Sequence, residues 1–152
     1  MSGVYLLSAN DWPGLIIRLT IALLVGAIIG FEREIKDKPA GLRTHMLVSF
    51  GSALFILVPI LISQTNPSAD ALSRVIQGVT AGIGFLGAGE ILRESQPDNG
   101  RVKVRGLTSA AAIWVSAALG IAAGCGLLLL SLIGAVVTLV VLKVFKQFEH
   151  RP

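Results

Sequence analysis

The stretch "PGLIIRLTIALLVGAIIGF", residues 13–31, is a continuous apolar run that contains one charged residue, Arg18. Since a helix rises about 1.5 Å per residue, a run of this length covers the roughly 30 Å hydrocarbon core of a bilayer. Four further apolar runs lie at about residues 44–63, 75–92, 107–123 and 125–145. Such long runs differ from the alternating pattern of a membrane β-barrel. The sequence therefore predicts an all-α, polytopic membrane bundle of about five helices, forming one domain over residues 1–152.

The composition agrees with a membrane protein. Hydrophobic residues make up 53% of the chain and charged residues 14%, whereas soluble domains carry about 25% charge. The N-terminus has neither a basic region nor a small-residue cleavage pattern, so we expect no cleaved signal peptide. The single Cys125 excludes an intrachain disulfide, and its glycine neighbours favour a packing role. We attribute the net charge of +4 to membrane topology and expect no nucleic-acid partner.

Basic residues alternate between the links and predict the orientation of the chain. They cluster after the first run (Arg33, Lys36, Lys38, Arg43), after the third (Arg93, Arg101, Lys103, Arg105) and in the tail (Lys143, Lys146, Arg151). The second link has only Arg74, and the N-terminal segment and the fourth link have no Lys or Arg. By the positive-inside rule the N-terminus lies outside and the C-terminus inside. At residues 123–127, "AGCGL", a tight hairpin and one long kinked helix are both open.

Glycine spacing suggests where helices approach one another closely. The G-x-x-x-G pattern occurs at Gly26–Gly30, Gly78–Gly82 and Gly120–Gly124. The third run is the richest, with Gly78, Gly82, Gly84, Gly87 and Gly89. One interpretation is tight packing of this helix at the bundle centre or at a subunit seam, which favours a homo-oligomer and above all a dimer. The other is a partly unwound helix whose carbonyls face a polar cavity or an ion.

Charged helix ends on the predicted cytoplasmic side form a second candidate site, which we call the rim. The rim residues are Glu32, Arg33, Arg43, Thr44, Glu90, Arg93 and Arg105. Because both signs of charge occur at one depth, we expect an ion-pair network in which Glu32 pairs with Arg43, Arg93 or Arg105. Glu90 either pairs with Arg93, three residues on, or joins Glu32 in a cation or proton site. Carboxylate oxygens suit a hard ion such as Mg²⁺.

Two polar residues lie within or beside apolar runs. Arg18 needs carboxylate or carbonyl acceptors, or it extends its guanidinium towards the outer surface, which is the favoured alternative. For His45, a solvated or capping role is favoured over a proton switch.

The sequence carries no enzyme motif. It lacks G-x-S-x-G, a P-loop and H-E-x-x-H. The letters "GIGFLG", residues 82–87, match G-x-G-x-x-G, but no strand precedes them and they lie in an apolar run. We therefore expect no catalytic activity.

Four motifs in order, "GFERE", "AGLRTHMLV", "GIGFLGAG" and "VRGLTSAAAIWVSAALG", resemble the membrane domain of the MgtC/SapB family over residues 15–142. The resemblance implies a bacterial inner-membrane protein linked to low-magnesium adaptation and, in pathogens, to survival in host cells. It implies a regulatory role through the membrane potential or the ATP synthase, with transport of Mg²⁺ or another cation as the alternative. The matching positions are Glu32, Arg33, Gly41, Leu42, Arg43, Thr44, residues 82–89, Gly106, Leu107, Thr108, Ala110 and Trp114.

Two departures from the family pattern bear on function. Many members continue into a soluble ACT-like domain, and this sequence stops at Pro152. Glu90 stands where the family pattern has an uncharged residue. Because the runs supply no acid at the bilayer midplane for Mg²⁺, regulation is favoured over transport. The expected partners are the lipid bilayer, a second copy and a membrane protein such as the ATP synthase, with Mg²⁺ as the one candidate ligand.

Overall fold

The computed structural model describes residue 7 and residues 11–63, 68–94, 96–98 and 101–144. Within these residues the chain forms α1 (Trp12–Ile35), α2 (Leu42–Ile62), α3 (Ala69–Glu94), α4 (Leu107–Gly124) and α5 (Leu128–Val144). A short antiparallel ladder of β1 (Gln96–Asp98) and β2 (Arg101–Lys103) lies between α3 and α4. Helix α4 is central, because it packs against each of the other four helices. The predicted all-α bundle is confirmed for this part of the chain.

Four of these helices, α1 to α4, are long and apolar enough to cross a membrane, judged by length and composition. Helix α5 is shorter, with 17 residues in its described part, which is near the lower end of the range for a spanning helix. The basic tail residues Lys146 and Arg151 lie outside the described residues.

Helix α3 begins earlier than its apolar run. The hydroxyl of Ser68 accepts a hydrogen bond from the backbone N–H of Ala71 at 3.2 Å, and Asp70 lies in the first turn. Both features stabilise a helix start. The predicted start at residue 75 is therefore wrong, because apolarity marks what fits the bilayer and not where the helix begins.

A tight turn separates α4 from α5. Gly126 has a φ of 82°, and the N–H groups of Gly126 and Leu127 donate to the carbonyls of Ala123 and Ala122, both at 2.9 Å. This is the Schellman pattern that ends a helix at a left-handed glycine. The hairpin alternative is confirmed, and the predicted start of the fifth helix at 125 is wrong because residues 125–127 form the turn.

Two of the three G-x-x-x-G motifs bring helix backbones together. A Cβ at Gly26 would lie 2.6 Å from the carbonyl oxygen of His45, and one at Gly30 would lie 2.7 Å from the Cα of Leu42. On α4, a Cβ at Gly120 would collide with the backbone of Ser49. Another at Gly124 would lie 2.9 Å from the carbonyl oxygen of Ala53. These glycines therefore set how closely α1 and α4 pack on α2.

The third motif, on α3, makes no such contact within the described bundle. A Cβ at Gly78, Gly82, Gly84 or Gly89 would meet no atom within 4 Å, whereas one at Gly87 would lie 3.3 Å from the Cβ of Ala110. Helix α3 lies at the edge of the bundle, so the predicted central position is wrong. It is also continuous from Ala69 to Glu94, which excludes the unwound alternative. The subunit seam stays a prediction.

Candidate functional site

The rim is organised around a buried ion pair at the end of α1. Glu32 and Arg33 are only 5% and 2% exposed. Arg33 Nε lies 2.8 Å from Glu32 Oε2, and Lys36 Nζ contacts Glu32 Oε1. One buried carboxylate is thus compensated by two cations, Arg33 in the last turn of α1 and Lys36 at its C-cap, which is what a charge removed from water requires.

Lys36 also connects the end of α1 to the end of α5. Its ammonium group donates a hydrogen bond to the carbonyl oxygen of Leu142 at 3.2 Å. The Glu32–Lys36 contact therefore helps to hold the two helix ends together.

The other rim residues are arranged differently from the prediction. Arg43, Arg93 and Arg105 are exposed, Thr44 is half-buried and Glu90 is buried on α3. The expectation that Glu32 pairs with Arg43, Arg93 or Arg105 is wrong. The residue next to it and the residue one turn later reach it first, because α1 runs to Ile35 and not to 31, which places Arg33 on the helix and Lys36 at its C-cap.

Glu34 makes a helix-capping contact that the sequence reasoning missed. Its Oε2 accepts a hydrogen bond from the backbone N–H of Leu42 at 2.8 Å, so it caps the first turn of α2. Gly41 lies directly against the same carboxylate, where a Cβ would collide. Capping acids are normally sought within three residues of a helix start. Glu34 lies eight residues before Leu42 and reaches it because the link between α1 and α2 folds back.

Arg18 lies at the opposite end of α1 from the rim. It is buried, and its Nη1 donates to the carbonyl oxygen of Gly124 at 2.9 Å, at the end of α4. The alternative in which Arg18 binds a carbonyl is therefore confirmed, and the prediction that its guanidinium extends towards the outer surface is wrong. Beside it, burial raises the pKa of the Cys125 thiol, although the Arg18 charge opposes this. The thiol is protonated at neutral pH and acts as a packing group.

A second buried polar group lies deeper than the rim. His45 is fully buried, and its Nδ1 lies 2.9 Å from the carbonyl oxygen of Gly41. The solvated alternative is wrong, and so is the capping alternative, because His45 donates to a carbonyl that already accepts from the helix and does not accept from a free N–H of the helix start. Ser49 and Ser116 are also fully buried, and the sequence reasoning overlooked both. The signal available was the one-turn spacing of His45 and Ser49, which places them on one face of α2.

The described residues contain no group of three or more His, Cys, Asp or Glu side chains that could hold a metal ion. Of the two metal candidates, Glu32 is engaged by Arg33 and Lys36, and Glu90 is buried on α3. The buried charges of the rim hold helix ends together, while Arg43, Arg93 and Arg105 remain exposed.

A lateral groove of about 610 Å³ lies between α2 and α3. Its walls are almost entirely apolar and include Gly51, Phe55, Gly78, Gly82 and Leu86. The glycines make the groove deep enough to receive side chains from another helix or from lipid.

Comparison with known proteins places these features in context. The model of the MgtC family matches residues 19–151. SrpB of Synechococcus elongatus is 51% identical over 151 residues, which is 97% of this chain and 83% of SrpB. YhiD of Escherichia coli strain K12, named as a candidate magnesium transporter, is 43% identical over 90% of this chain and 62% of YhiD. No solved structure matches the chain significantly.

MgtC of Salmonella typhimurium is 44% identical over 111 residues. The matched part is 73% of this chain and 43% of that protein. The chain thus spans most of SrpB but less than two thirds of YhiD and MgtC.

Proposed function

This chain belongs to the MgtC family, and from that premise we propose that it is a regulatory protein of the bacterial inner membrane that acts in adaptation to low magnesium. Its long apolar helices and its family make it a multi-pass membrane protein. It works by contact with a membrane partner and does not itself carry an ion across the bilayer.

The observation that carries this proposal is the packed interior between Arg18 and the rim. Here α1, α2 and α4 meet at Ala22, Ala53 and Ala123, each fully buried. Contacting methyl groups offer no oxygen ligand, and Mg²⁺ gives up its waters reluctantly. A transporter needs a polar path through such a region, whereas a regulator does not.

The state of Glu32 gives independent support. A Mg²⁺ ligand needs carboxylate oxygens that face the ion or its waters. One oxygen of Glu32 contacts Arg33 of α1 and the other contacts Lys36 at its C-cap, and Lys36 also hydrogen-bonds α5. This fits a residue that holds the cytoplasmic ends of the helices in place.

The exposed arginines of the rim suggest the kind of partner. Arg43, Arg93 and Arg105 come from three links or helices and are all exposed. A group of like charges steers association with a surface of opposite sign. The partner therefore presents an acidic surface near the membrane, and the family resemblance makes the ATP synthase the first to test.

Cation flux through purified protein in liposomes separates regulation from transport. We expect Mg²⁺ uptake equal to that of protein-free vesicles. Uptake that saturates with Mg²⁺ and disappears in the Glu32→Gln variant would overturn the proposal. Glu90→Gln is measured in the same series, because two observations favour the transport alternative. Glu90 is a buried carboxylate on α3, and YhiD is named as a candidate magnesium transporter.

A growth assay in low magnesium tests the role of the rim. We expect Arg43→Gln and Arg93→Gln to lose function at equal expression, because each removes an exposed charge that faces the partner. Glu32→Gln should lose function as well, since it leaves Arg33 buried without its carboxylate. The matched control is Arg74→Gln, an exposed arginine near the start of α3. If all four variants grow like the parent, the rim only holds helix ends together and does not contact a partner.

A further inference from the structure

Helices α2 and α4 have a fixed register that brings buried polar side chains together. Gly120 lies against the backbone of Ser49, and Gly124 lies against that of Ala53. Since both positions advance by one turn in the same direction, the two helices run parallel. One turn earlier, the same register places Ser116 opposite His45.

Three polar side-chain atoms at this level are buried and lack a hydrogen-bond partner among the described residues. His45, Ser49 and Ser116 are each fully buried, and within the described residues His45 Nε2, Ser49 Oγ and Ser116 Oγ have no hydrogen-bond partner. Buried polar atoms nearly always have one, because leaving a group unpaired costs free energy. Three such atoms at neighbouring positions of one helix contact need partners that the described side chains do not supply.

The chemistry of the three atoms defines that ligand. The carbonyl of Gly41 can only accept, so the Nδ1 of His45 is the donor of their 2.9 Å hydrogen bond. In the neutral ring Nε2 is then an acceptor. Each serine hydroxyl can donate and accept. A small neutral molecule with two donors and two acceptors satisfies all three groups, and water is that molecule.

The surrounding charges place this group at the inner side of the rim. On α1, Arg33 and Glu32 both act electrostatically on His45, and Arg33 Nη1 is a further buried atom without a partner among the described residues. Helix α4 has no ionisable side chain along its length, and Arg43 on α2 is exposed. Beyond Ser49 the alanine layer follows. The polar region therefore lies between the rim and the alanine layer.

We infer that His45, Ser49 and Ser116 form an intramembrane water-binding site that extends inward from the rim and ends at the alanine layer. Bound water hydrogen-bonds Nε2 of the imidazole and both hydroxyls. This site stands apart from the regulatory role proposed above, because it depends only on the interior of one chain.

Nuclear magnetic resonance of the full chain in lipid bilayers tests the site directly. The protein has two histidines, His45 and His150, so ¹⁵N-histidine labelling of a His150→Gln variant reports on His45 alone. We expect a ring protonated at Nδ1, with magnetisation transfer from water to the imidazole. A ring protonated at Nε2, or the absence of water transfer, would overturn the inference.

Serine variants identify the residues that hold the water. We expect Ser49→Ala with Ser116→Ala to abolish the transfer, and either single variant to weaken it. Ser131→Ala is the matched control, because that buried hydroxyl donates directly to the carbonyl of Leu119 at 2.9 Å. Unchanged transfer in the double variant would contradict the assignment.

Thermal unfolding gives a second measurement that does not need the double variant. An alanine that replaces an unpaired hydroxyl raises the unfolding midpoint, whereas one that replaces a water-bound hydroxyl lowers it. We expect Ser116→Ala to lower the midpoint, and a rise would count against bound water.

Discussion

At the scale of single residues, the polar groups of this bundle are placed by backbone contacts as much as by charge. Arg18 binds the last carbonyl of α4, and Glu34 binds the first free N–H of α2. Both satisfy helix ends that would otherwise lack partners. Gly41 permits the second of these contacts, since a side chain there would collide with the Glu34 carboxylate.

Gly120→Ala should destabilise the fold, because the new methyl group meets the backbone of Ser49, which cannot rotate away. Overpacking of this kind costs about 1–3 kcal/mol. The measurement is the unfolding midpoint in detergent, followed by loss of helical circular dichroism. Gly84→Ala is the control, since a Cβ there meets nothing within 4 Å and alanine favours the helix. Equal midpoints for the two variants would show that α2 and α4 are not in backbone contact.

At the scale of helices, the sequence predicts which helices are present better than it predicts where each helix begins and ends or which helices it contacts. Apolar length located all five helices, and glycine spacing located the contacts of α1 and α4 with α2. Glycine spacing was misleading for α3. The pattern shows that a helix can pack closely, but it does not identify the helix that it packs against. The partners of Glu32 were missed for a related reason: they depend on where α1 stops, and Lys36 lay in an assumed loop.

Helix α3 presents an unused close-packing face, which we expect to form the seam of a homodimer. Gly78 and Gly82 border the lateral groove, whereas Gly84 points to another side of the helix. Gly78→Leu with Gly82→Leu should therefore convert a dimer to a monomer without lowering the unfolding midpoint of the monomer. Native mass spectrometry from detergent measures the oligomer.

Gly84→Leu is the matched control for this seam, being the same substitution on the same helix outside the groove. Gly87→Leu serves a different purpose, since it faces Ala110 of α4 at close range and should destabilise the fold itself. A groove variant that remains dimeric, or a parent that is monomeric, would exclude α3 as the seam.

At the scale of the whole molecule, two polar contacts fix which helix ends share a face. Lys36 joins the end of α1 to the end of α5, and Arg18 joins the first half of α1 to the end of α4. Helices α1 and α5 therefore run in the same direction. The chain thus enters the bundle at one face and leaves α5 at the other, whichever way the bundle is inserted.

The distribution of basic residues then predicts which face is cytoplasmic. Arg33, Lys36, Lys38, Arg43, Arg93, Arg105 and Lys143 lie at the face where α1 and α5 end, and Arg18 and Arg74 lie towards the other. Because cytoplasmic segments carry the excess of Lys and Arg, the face with these seven basic residues should be inside. Reporter fusions after Gln64 and after Pro152 should give signals from opposite sides of the membrane. A fusion after Asp98, between α3 and α4, should agree with the C-terminal one. Signals from one side for Gln64 and Pro152 would mean that α5 does not cross, and the rim would then no longer share a face with the C-terminus.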